Sequence, residues 1–287
     1  MSTVLNAVPV PENALLKQST YKEEIVMAKM LDGQVAVVFG GAGIIGSEMS
    51  KNLAAAGATV GIMDFCAEPA QKVVDEIVKS GGKAAVFQCK ADDEENLGAA
   101  LKAVNDAYGR IDICVSSIHR QFIPEFVVSQ TWEYWDRHIE AIKIHMYICK
   151  HVVPYMQANK YGRIIYISGG MCRRFYEGGS AYSCVKAGLN AFTKTLAMEV
   201  GRDNIMVNII APGRIVDESG GLTSERANAL SNKAEEDPMD DLCEAATGHY
   251  ATAKHVAQCV TWFASPSCYN TTGQTIYVGG GEIMPMP

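Results

Sequence analysis

The chain has 287 residues, 48% of them apolar, and a formal net charge of −7. This length supports one large hydrophobic core and does not require a second domain. The modest acidic balance, without a basic run, argues against nucleic acid or an anionic membrane as a partner. No apolar run approaches the roughly 18–20 residues that a membrane-spanning helix needs.

Residues 1–30 form a distinct N-terminal extension that has neither the basic segment nor the long apolar segment of a signal peptide. The nine cysteines include no C-x-x-C pair, and their gaps do not follow zinc-like spacing. We therefore predict no metal site. Several cysteines lie in apolar runs, where reduced thiols are common, so we expect a cytoplasmic protein.

From residue 34 onward, apolar β-branched runs alternate with segments of helical spacing. The predicted strands are 34–40, 59–64, 84–89, 111–117, 163–168, 205–213 and 274–280. The predicted helices are 47–57, 67–82, 93–109, 131–159 and 180–201. This alternation is typical of βαβ units and predicts an α/β fold, a doubly wound parallel sheet of about seven strands with helices on both faces.

Domain organisation follows from the absence of a linker. Residues 31–287 contain no internal repeat or low-complexity segment, so we predict a single domain. Within it, 214–250 is the least periodic stretch and is predicted to be a substrate loop or lid. Ligands of such sheets bind beyond the carboxyl ends of the strands.

A glycine-rich turn, "GGAGIIG" at 40–46, joins the first predicted strand to the first helix. Its pattern Gly41-x-Gly43-x-x-Gly46 lets a backbone turn approach a pyrophosphate at a helix N-terminus. Asp64 ends the next strand, where a carboxylate can accept hydrogen bonds from adenosine ribose hydroxyls and would repel a 2′-phosphate. NAD is therefore favoured over NADP. The alternative is an ordinary turn, with Asp64 as a helix cap.

Tyr182 and Lys186 stand four residues apart in "AYSCVK", which continues as a helix. Residues at this spacing share a helix face, so both side chains can point into one cleft. A free tyrosine has a pKa near 10, and a fixed ammonium nearby lowers it, which suits a general acid or base. Such pairs also occur by chance, and the position after the fifth strand is what favours catalysis.

The chain resembles the short-chain dehydrogenase/reductase family over about residues 31–285. The matching stretches are "LDGQVAVVFGGAGIIG", "GRIDICV", "GRIIYIS", "AYSCVKAGLNAFTKTLAMEV", "VNIIAPGRI" and "TTGQTIYVGGG". The resemblance implies a Rossmann-type fold, NAD or NADP as cofactor, and hydride exchange between a secondary alcohol and a ketone. It makes Tyr182 the proton donor and Lys186 its tuner. The implied cofactor contacts are Gly40, Gly43, Ile45, Gly46, Asp64, Ala91, Ser116, Lys186, Pro212, Gly213 and Ile215.

Several positions depart from the family pattern. The family's catalytic serine position is Gly169, and the nearest hydroxyl, Ser168, can substitute as a catalytic residue only if the turn is rearranged. The helix that carries the family's catalytic asparagine reads "IEAIKIHMY" (139–147), without asparagine. Further departures are Phe39, Ile44, Lys90, "SSIH" at 116–119, Asp217 and Gly279.

These departures leave three interpretations open. In the first, the chain is an active enzyme with a rebuilt site, in which Ser168, His119 or a hydroxyl of the substrate orients the carbonyl. In the second, it is a degenerate subunit that scaffolds an active paralogue. In the third, it is a nucleotide-sensing regulator. We expect His119 to be a surface or cap histidine, and we give His145 the same interpretation because its helix is expected to pack against another subunit.

The predicted substrate side contains "MCRRFYEGG" at 171–179, where Arg173 and Arg174 can hold an anionic group unless the segment is a solvated turn. The stretch "HRQFIP" at 119–124, together with Met and Leu in the later loop, suggests a mainly apolar pocket and favours a bulky ring ketone or its alcohol as substrate. Family resemblance implies a homo-oligomer, either a dimer or a tetramer. The predicted helix 131–156 carries Trp132 and Trp135. These side chains give it more apolar bulk than an isolated surface helix needs, which suits such an interface.

Overall fold

The computed structural model describes residues 30–119, 122–172, 175–217 and 245–282. Three sequence predictions lie outside these residues: nearly all of the N-terminal extension, the pair Arg173 and Arg174, and most of the loop predicted at 214–250. The division into one domain and an extension therefore stays a prediction.

The main feature is a parallel sheet of seven strands. Its strands are β1 (Val35–Phe39), β2 (Thr59–Asp64), β3 (Lys83–Gln88), β4 (Ile113–Ser116), β5 (Gly162–Ile167), β6 (Ile205–Pro212) and β9 (Thr275–Val278). Their order is β3-β2-β1-β4-β5-β6-β9. Two short strands, β7 (Ile215–Val216) and β8 (Ala251–Thr252), pair with each other in parallel.

Six α-helices are described between the strands. They are α1 (Ile44–Ala55), α2 (Ala67–Lys79), α3 (Glu94–Tyr108), α4 (Trp132–Asn159), α5 (Ser180–Val200) and α6 (Ala253–Ala264). None of the helices in this part of the chain is long and apolar enough to cross a lipid bilayer.

The helices form one layer on each face of the sheet. Alternate residues of β1 show the division, because Val37 and Phe39 pack with α3, α4 and α5, whereas Ala36 and Val38 pack with α1, α2 and α6. Strands that are buried on both faces are expected to be continuously apolar, and every residue of β1 is buried. The predicted doubly wound, Rossmann-type architecture of seven strands is therefore confirmed.

One helix was missing from the sequence prediction. α6 begins after Thr252, whose backbone N–H donates to Nδ1 of His255 (3.1 Å) in a capping box. Its buried residues, among them Val256, Ala257 and Val260, follow helical spacing and complete the α1–α2 layer.

Candidate functional site

The carboxyl ends of the parallel strands lie along one edge of the sheet. The direction in which strands are added to the sheet changes between β1 and β4. β1 pairs with β2 on one side and with β4 on the other, so the loops that follow β1 and β4 leave in opposite directions. Phe39 lies beside Ser116, and the Ser117 N–H donates to the Phe39 carbonyl (3.0 Å). This edge is the place where ligands of doubly wound sheets bind.

The glycine-rich turn lies at this edge, and its backbone atoms pack closely against one another. Gly40 has a φ of +71°, which favours glycine. A Cβ on Gly46 would lie 1.9 Å from the Gly40 carbonyl oxygen, so α1 approaches β1 only because residue 46 lacks a side chain. Gly43 differs, because its Cβ would meet only that carbonyl, at 3.4 Å.

The N-terminus of α1 suits an anion. Its N-cap is Gly43, which provides no side-chain cap, and its first turn contains no acidic residue. The first N–H groups of a helix lack partners within the helix, and the helix dipole favours negative charge at that end. Together with the open space at Gly43, this end fits the pyrophosphate of a dinucleotide.

Asp64 closes the same corner. Its carboxylate accepts hydrogen bonds from the backbone N–H groups of Ala42 and Cys66, both at 3.0 Å. These bonds fix the carboxylate at the end of β2, against the glycine-rich turn. A fixed carboxylate at this position fits the hydroxyls of an adenosine ribose.

Tyr182 and Lys186 lie together on α5. The Lys186 Nζ is 5.3 Å from the centre of the Tyr182 ring and donates to the carbonyl of Ile167, the last residue of β5 (3.4 Å). Lys186 is 5% exposed, and this burial lowers its pKa from 10.5 to about 8. The two side chains are therefore neighbours on one face of α5, as their spacing predicts, and their catalytic roles stay a prediction.

The turn after β5 holds Gly169 at the position of the expected catalytic serine. A Cβ on Gly169 would lie 3.4 Å from the Tyr182 hydroxyl oxygen, so residue 169 is the one that faces the phenol. The Ser168 hydroxyl instead donates to the backbone carbonyl of Lys186 (3.4 Å). The catalytic role of Ser168 stays a prediction, and this placement counts against it.

The other predicted cofactor contacts are spread along the same edge. Ser116 is buried at the end of β4, and Pro212 ends β6. Gly213 follows, donates to the Val278 carbonyl (2.9 Å), and has no room for a Cβ because the Glu282 carboxylate would lie 2.4 Å away. The remaining contacts, Ile45, Ala91 and Ile215, are half-buried.

His145 is not on the outer face of its helix, so this part of the sequence interpretation was wrong. It is 2% exposed, it packs edge-to-face against Tyr166, and its Nε2 lies 3.3 Å from the Ser116 hydroxyl. Nδ1 donates to the Ala141 carbonyl. Burial lowers its pKa to about 4, with a further lowering by nearby Lys186, so the ring is neutral at pH 7.

His138 was missed altogether. It lies on the buried stripe of α4, three residues before Ala141 and seven before His145, and its ring is 6.2 Å from that of Tyr182. The available signal was a pair of histidines spaced as core residues of a helix. His119, by contrast, is exposed, as predicted, and its Nδ1 contacts the Ser117 carbonyl (3.1 Å).

Comparison with known proteins gives a consistent result. The family model described as Enoyl-(Acyl carrier protein) reductase, of the short-chain alcohol dehydrogenase type, matches residues 40–282. The 3-oxoacyl-(acyl-carrier-protein) reductase FabG of Vibrio harveyi is 30% identical over 259 residues, which cover 88% of this chain and 99% of the relative.

Two solved structures show the same architecture. The crystal structure of a dehydrogenase/reductase from Sinorhizobium meliloti 1021 has a TM-score of 0.77 and 28% identity, over 89% of this chain and 98% of that one. The crystal structure of NAD⁺-bound xylitol dehydrogenase has a TM-score of 0.80 over 88% and 99% of the two chains. At 22% identity, the second supports the fold alone.

The two glycines of the turn predict different outcomes on substitution. Gly43→Ala should leave stability nearly unchanged but weaken NADH binding by at least tenfold, because its methyl group enters the open space at the α1 N-terminus. Gly46→Ala should destabilise the fold by at least about 3 kcal/mol, because backbone atoms cannot yield. Urea unfolding and NADH fluorescence titration measure both effects. Unchanged NADH affinity in Gly43→Ala would contradict this assignment of the turn.

The buried ammonium of Lys186 predicts a pH dependence of stability. Its folded pKa of about 8 is below its usual 10.5, so between these values the unfolded chain binds more protons and stability rises with pH. The cost of burying the charge is fully present below pH 8. Lys186→Met should therefore be more stable than the parent there, by about 3 kcal/mol, and this advantage should shrink as pH approaches 10.5.

Urea unfolding between pH 7 and 10 measures this difference. The matched control is Lys194→Met, which removes an exposed lysine from the same helix. A difference between Lys186→Met and the parent that stays constant across this range would show that the ammonium is not buried as described.

Proposed function

Because the chain belongs to the short-chain dehydrogenase/reductase family, an oxidoreductase family that uses NAD or NADP, we propose that it exchanges hydride between a nicotinamide cofactor and a secondary alcohol or ketone. The observation that carries the proposal is the placement of Tyr182 over the buried Lys186, at the sheet edge that also holds the glycine-rich turn. A phenol and an ammonium in this relation are equipped for proton transfer.

The described residues fit a dinucleotide at three points. The N-terminus of α1 at Gly43 would hold the pyrophosphate, Asp64 the adenosine ribose, and the backbone around Pro212–Gly213 the nicotinamide end. When bound, the cofactor supplies or accepts the hydride. Ile45, Ala91, Ser116 and Ile215 complete the set of contacts carried over from the family.

Tyr182 supplies the proton. In the reducing direction its hydroxyl donates to the substrate oxygen, and in the oxidising direction the phenolate takes the proton back. Lys186 acts through its charge, which stabilises the phenolate, and its pKa of about 8 keeps it charged at neutral pH. Loss of that charge above pH 8 would weaken the stabilisation.

Cofactor preference follows from Asp64. A carboxylate held by two backbone N–H groups accepts ribose hydroxyls and repels a 2′-phosphate, so NAD(H) is preferred to NADP(H). Both cofactors occur in the family, so this preference is part of the proposal.

The second candidate function is a degenerate subunit that scaffolds an active paralogue. One observation favours it: the residue that faces the Tyr182 hydroxyl is Gly169, which has no group to bind a carbonyl. The Tyr182–Lys186 pair favours the enzyme. Burying the Lys186 ammonium lowers the stability of the fold, and a scaffold gains no activity in return.

Substrate size and assembly extend the proposal. The Phe122 ring packs on Tyr182 with centroids 5.4 Å apart, and an aromatic face beside the phenol suits a bulky ring ketone. A homo-oligomer is supported by exposed apolar side chains near the start of α4, with Val128 at 96% and Trp132 at 80% exposure. The cytoplasmic location stays a prediction from cysteine content.

Tyr182→Phe tests the proposed function. It should lower kcat for NADH-dependent ketone reduction by about 10²- to 10⁴-fold, because the proton donor is lost, while NADH affinity and urea stability stay close to the parent values. Steady-state kinetics on a panel of cyclic ketones provide the measurement. Tyr161→Phe is the matched control, since its hydroxyl contacts Gln34 at the opposite end of the sheet.

Two results would overturn the proposal. Retained turnover in Tyr182→Phe would remove the phenol from the mechanism. Absence of turnover in the parent on every ketone, with paralogue activity that depends on this chain, would favour the scaffold.

A further inference from the structure

His138 is fixed beside the proposed proton donor. It is 2% exposed, and its ring stands edge-to-face to the Tyr182 ring, with centroids 6.2 Å apart and an interplanar angle of 86°. The ring of Tyr134 packs against it with a centroid distance of 4.6 Å. The imidazole therefore has a defined position within reach of the reacting centre.

The hydrogen bonds of the ring define its chemistry. Nδ1 lies 2.9 Å from the Tyr134 carbonyl oxygen, which can only accept, so Nδ1 carries the hydrogen. In a histidine whose Nδ1 carries the hydrogen, Nε2 is the ring nitrogen that can offer a lone pair. Nε2 is buried and has no hydrogen-bond partner among the residues that the structure describes. Buried polar atoms are rarely left in this state, and an acceptor beside a catalytic group points to a ligand.

The turn after β5 offers the phenol no side-chain hydroxyl at residues 168 and 169. Gly169 faces the Tyr182 hydroxyl without a side chain, and the Ser168 hydroxyl donates to the α5 backbone. A substrate bound here needs another polar contact to fix its orientation. Nε2 of His138 is a buried acceptor that can take a hydrogen bond from a substrate hydroxyl.

Phe122 lies against the ring of the proposed proton donor. Phe122 packs on Tyr182 with ring centroids 5.4 Å apart, and the adjoining backbone is held by the Tyr134 hydroxyl, which donates to the Ile123 carbonyl (2.8 Å). Because Nε2 of His138 is buried in this structure, the binding mode proposed below requires Phe122 to move away from the Tyr182 ring.

We propose that His138 binds substrate, with Nε2 accepting a hydrogen bond from a hydroxyl on the carbon next to the reacting carbonyl. The substrates are then cyclic α-hydroxyketones and the corresponding vicinal diols. Reduction adds hydride to the carbonyl carbon and the Tyr182 proton to its oxygen, the cofactor is oxidised, and the neighbouring hydroxyl is unchanged. This inference rests on the proposed function and adds the substrate class. The two ring centroids lie 6.2 Å apart, a separation that suits a hydroxyl on the carbon next to the carbonyl.

A pair of matched ketones provides the kinetic test. The parent should reduce 2-hydroxycyclohexanone with a kcat/KM at least tenfold above that for cyclohexanone. His138→Phe, which keeps a flat ring, should lose this preference, with a loss of about 10- to 100-fold for the hydroxyketone and less than threefold for cyclohexanone. His138→Gln, which restores an acceptor, should recover part of it. His151→Phe is the control, because this histidine lies on the same helix and contacts Glu94.

The outcomes separate the possible roles of His138. An equal loss on both ketones would show a structural role and overturn the inference, as would an unchanged preference in His138→Phe. Turnover of cyclohexanone without any preference for the hydroxyketone would overturn the substrate class and leave the proposed function intact.

A binding measurement covers the case in which no ketone is reduced. With NAD⁺ present, trans-1,2-cyclohexanediol should raise the melting temperature of the parent and of His151→Phe but not of His138→Phe. In ¹⁵N-histidine-labelled protein, the diol should also shift the Nε2 resonance of His138. If these responses occur without turnover, the diol-binding site at His138 stands although the proposed function fails. If the responses are absent, the site is overturned as well.

Discussion

The close approach of α1 to β1 is the constraint on which the site depends. Gly46 lies against the Gly40 carbonyl with no room for a side chain, so the helix starts directly above the end of the strand. Gly43 leaves space at that start, and Asp64 borders it from β2. The sheet order places Ser116, Tyr182 and the β6 end on the same edge. A shift of α1 would therefore move the proposed anion site away from Asp64.

The ammonium of Lys186 is buried beside Tyr182, the proposed proton donor. Lys186 has lost most of its solvent, and its pKa falls to about 8, so its ammonium is maintained at a cost in stability. The neutral His145 on the neighbouring helix avoids adding a second positive charge. The buried ammonium of Lys186 thus lies beside the Tyr182 ring, and electrostatic effects on a phenol are strong where solvent is excluded.

Much of this arrangement could be predicted from sequence because it depends on local patterns. The glycine spacing, Asp64 at a strand end, and Tyr182 four residues before Lys186 each determine a neighbouring element. The positions of His138 and His145 could not be predicted in this way, because both depend on which face of α4 meets β4 and β5. Likewise, the direction of the Ser168 hydroxyl depends on one step in a turn, which sequence spacing does not define. α6 was overlooked although its apolar spacing and cap are visible in the sequence.

Together, these features support the proposed dinucleotide site beside the proposed proton-transfer pair. The most direct measurement is a titration of the purified full chain with NADH and with NADPH, followed by nicotinamide fluorescence. The account predicts saturable binding of NADH, with an affinity at least tenfold higher than for NADPH, and a reduced preference in Asp64→Ala. Failure of both cofactors to saturate the protein at millimolar concentration would contradict it.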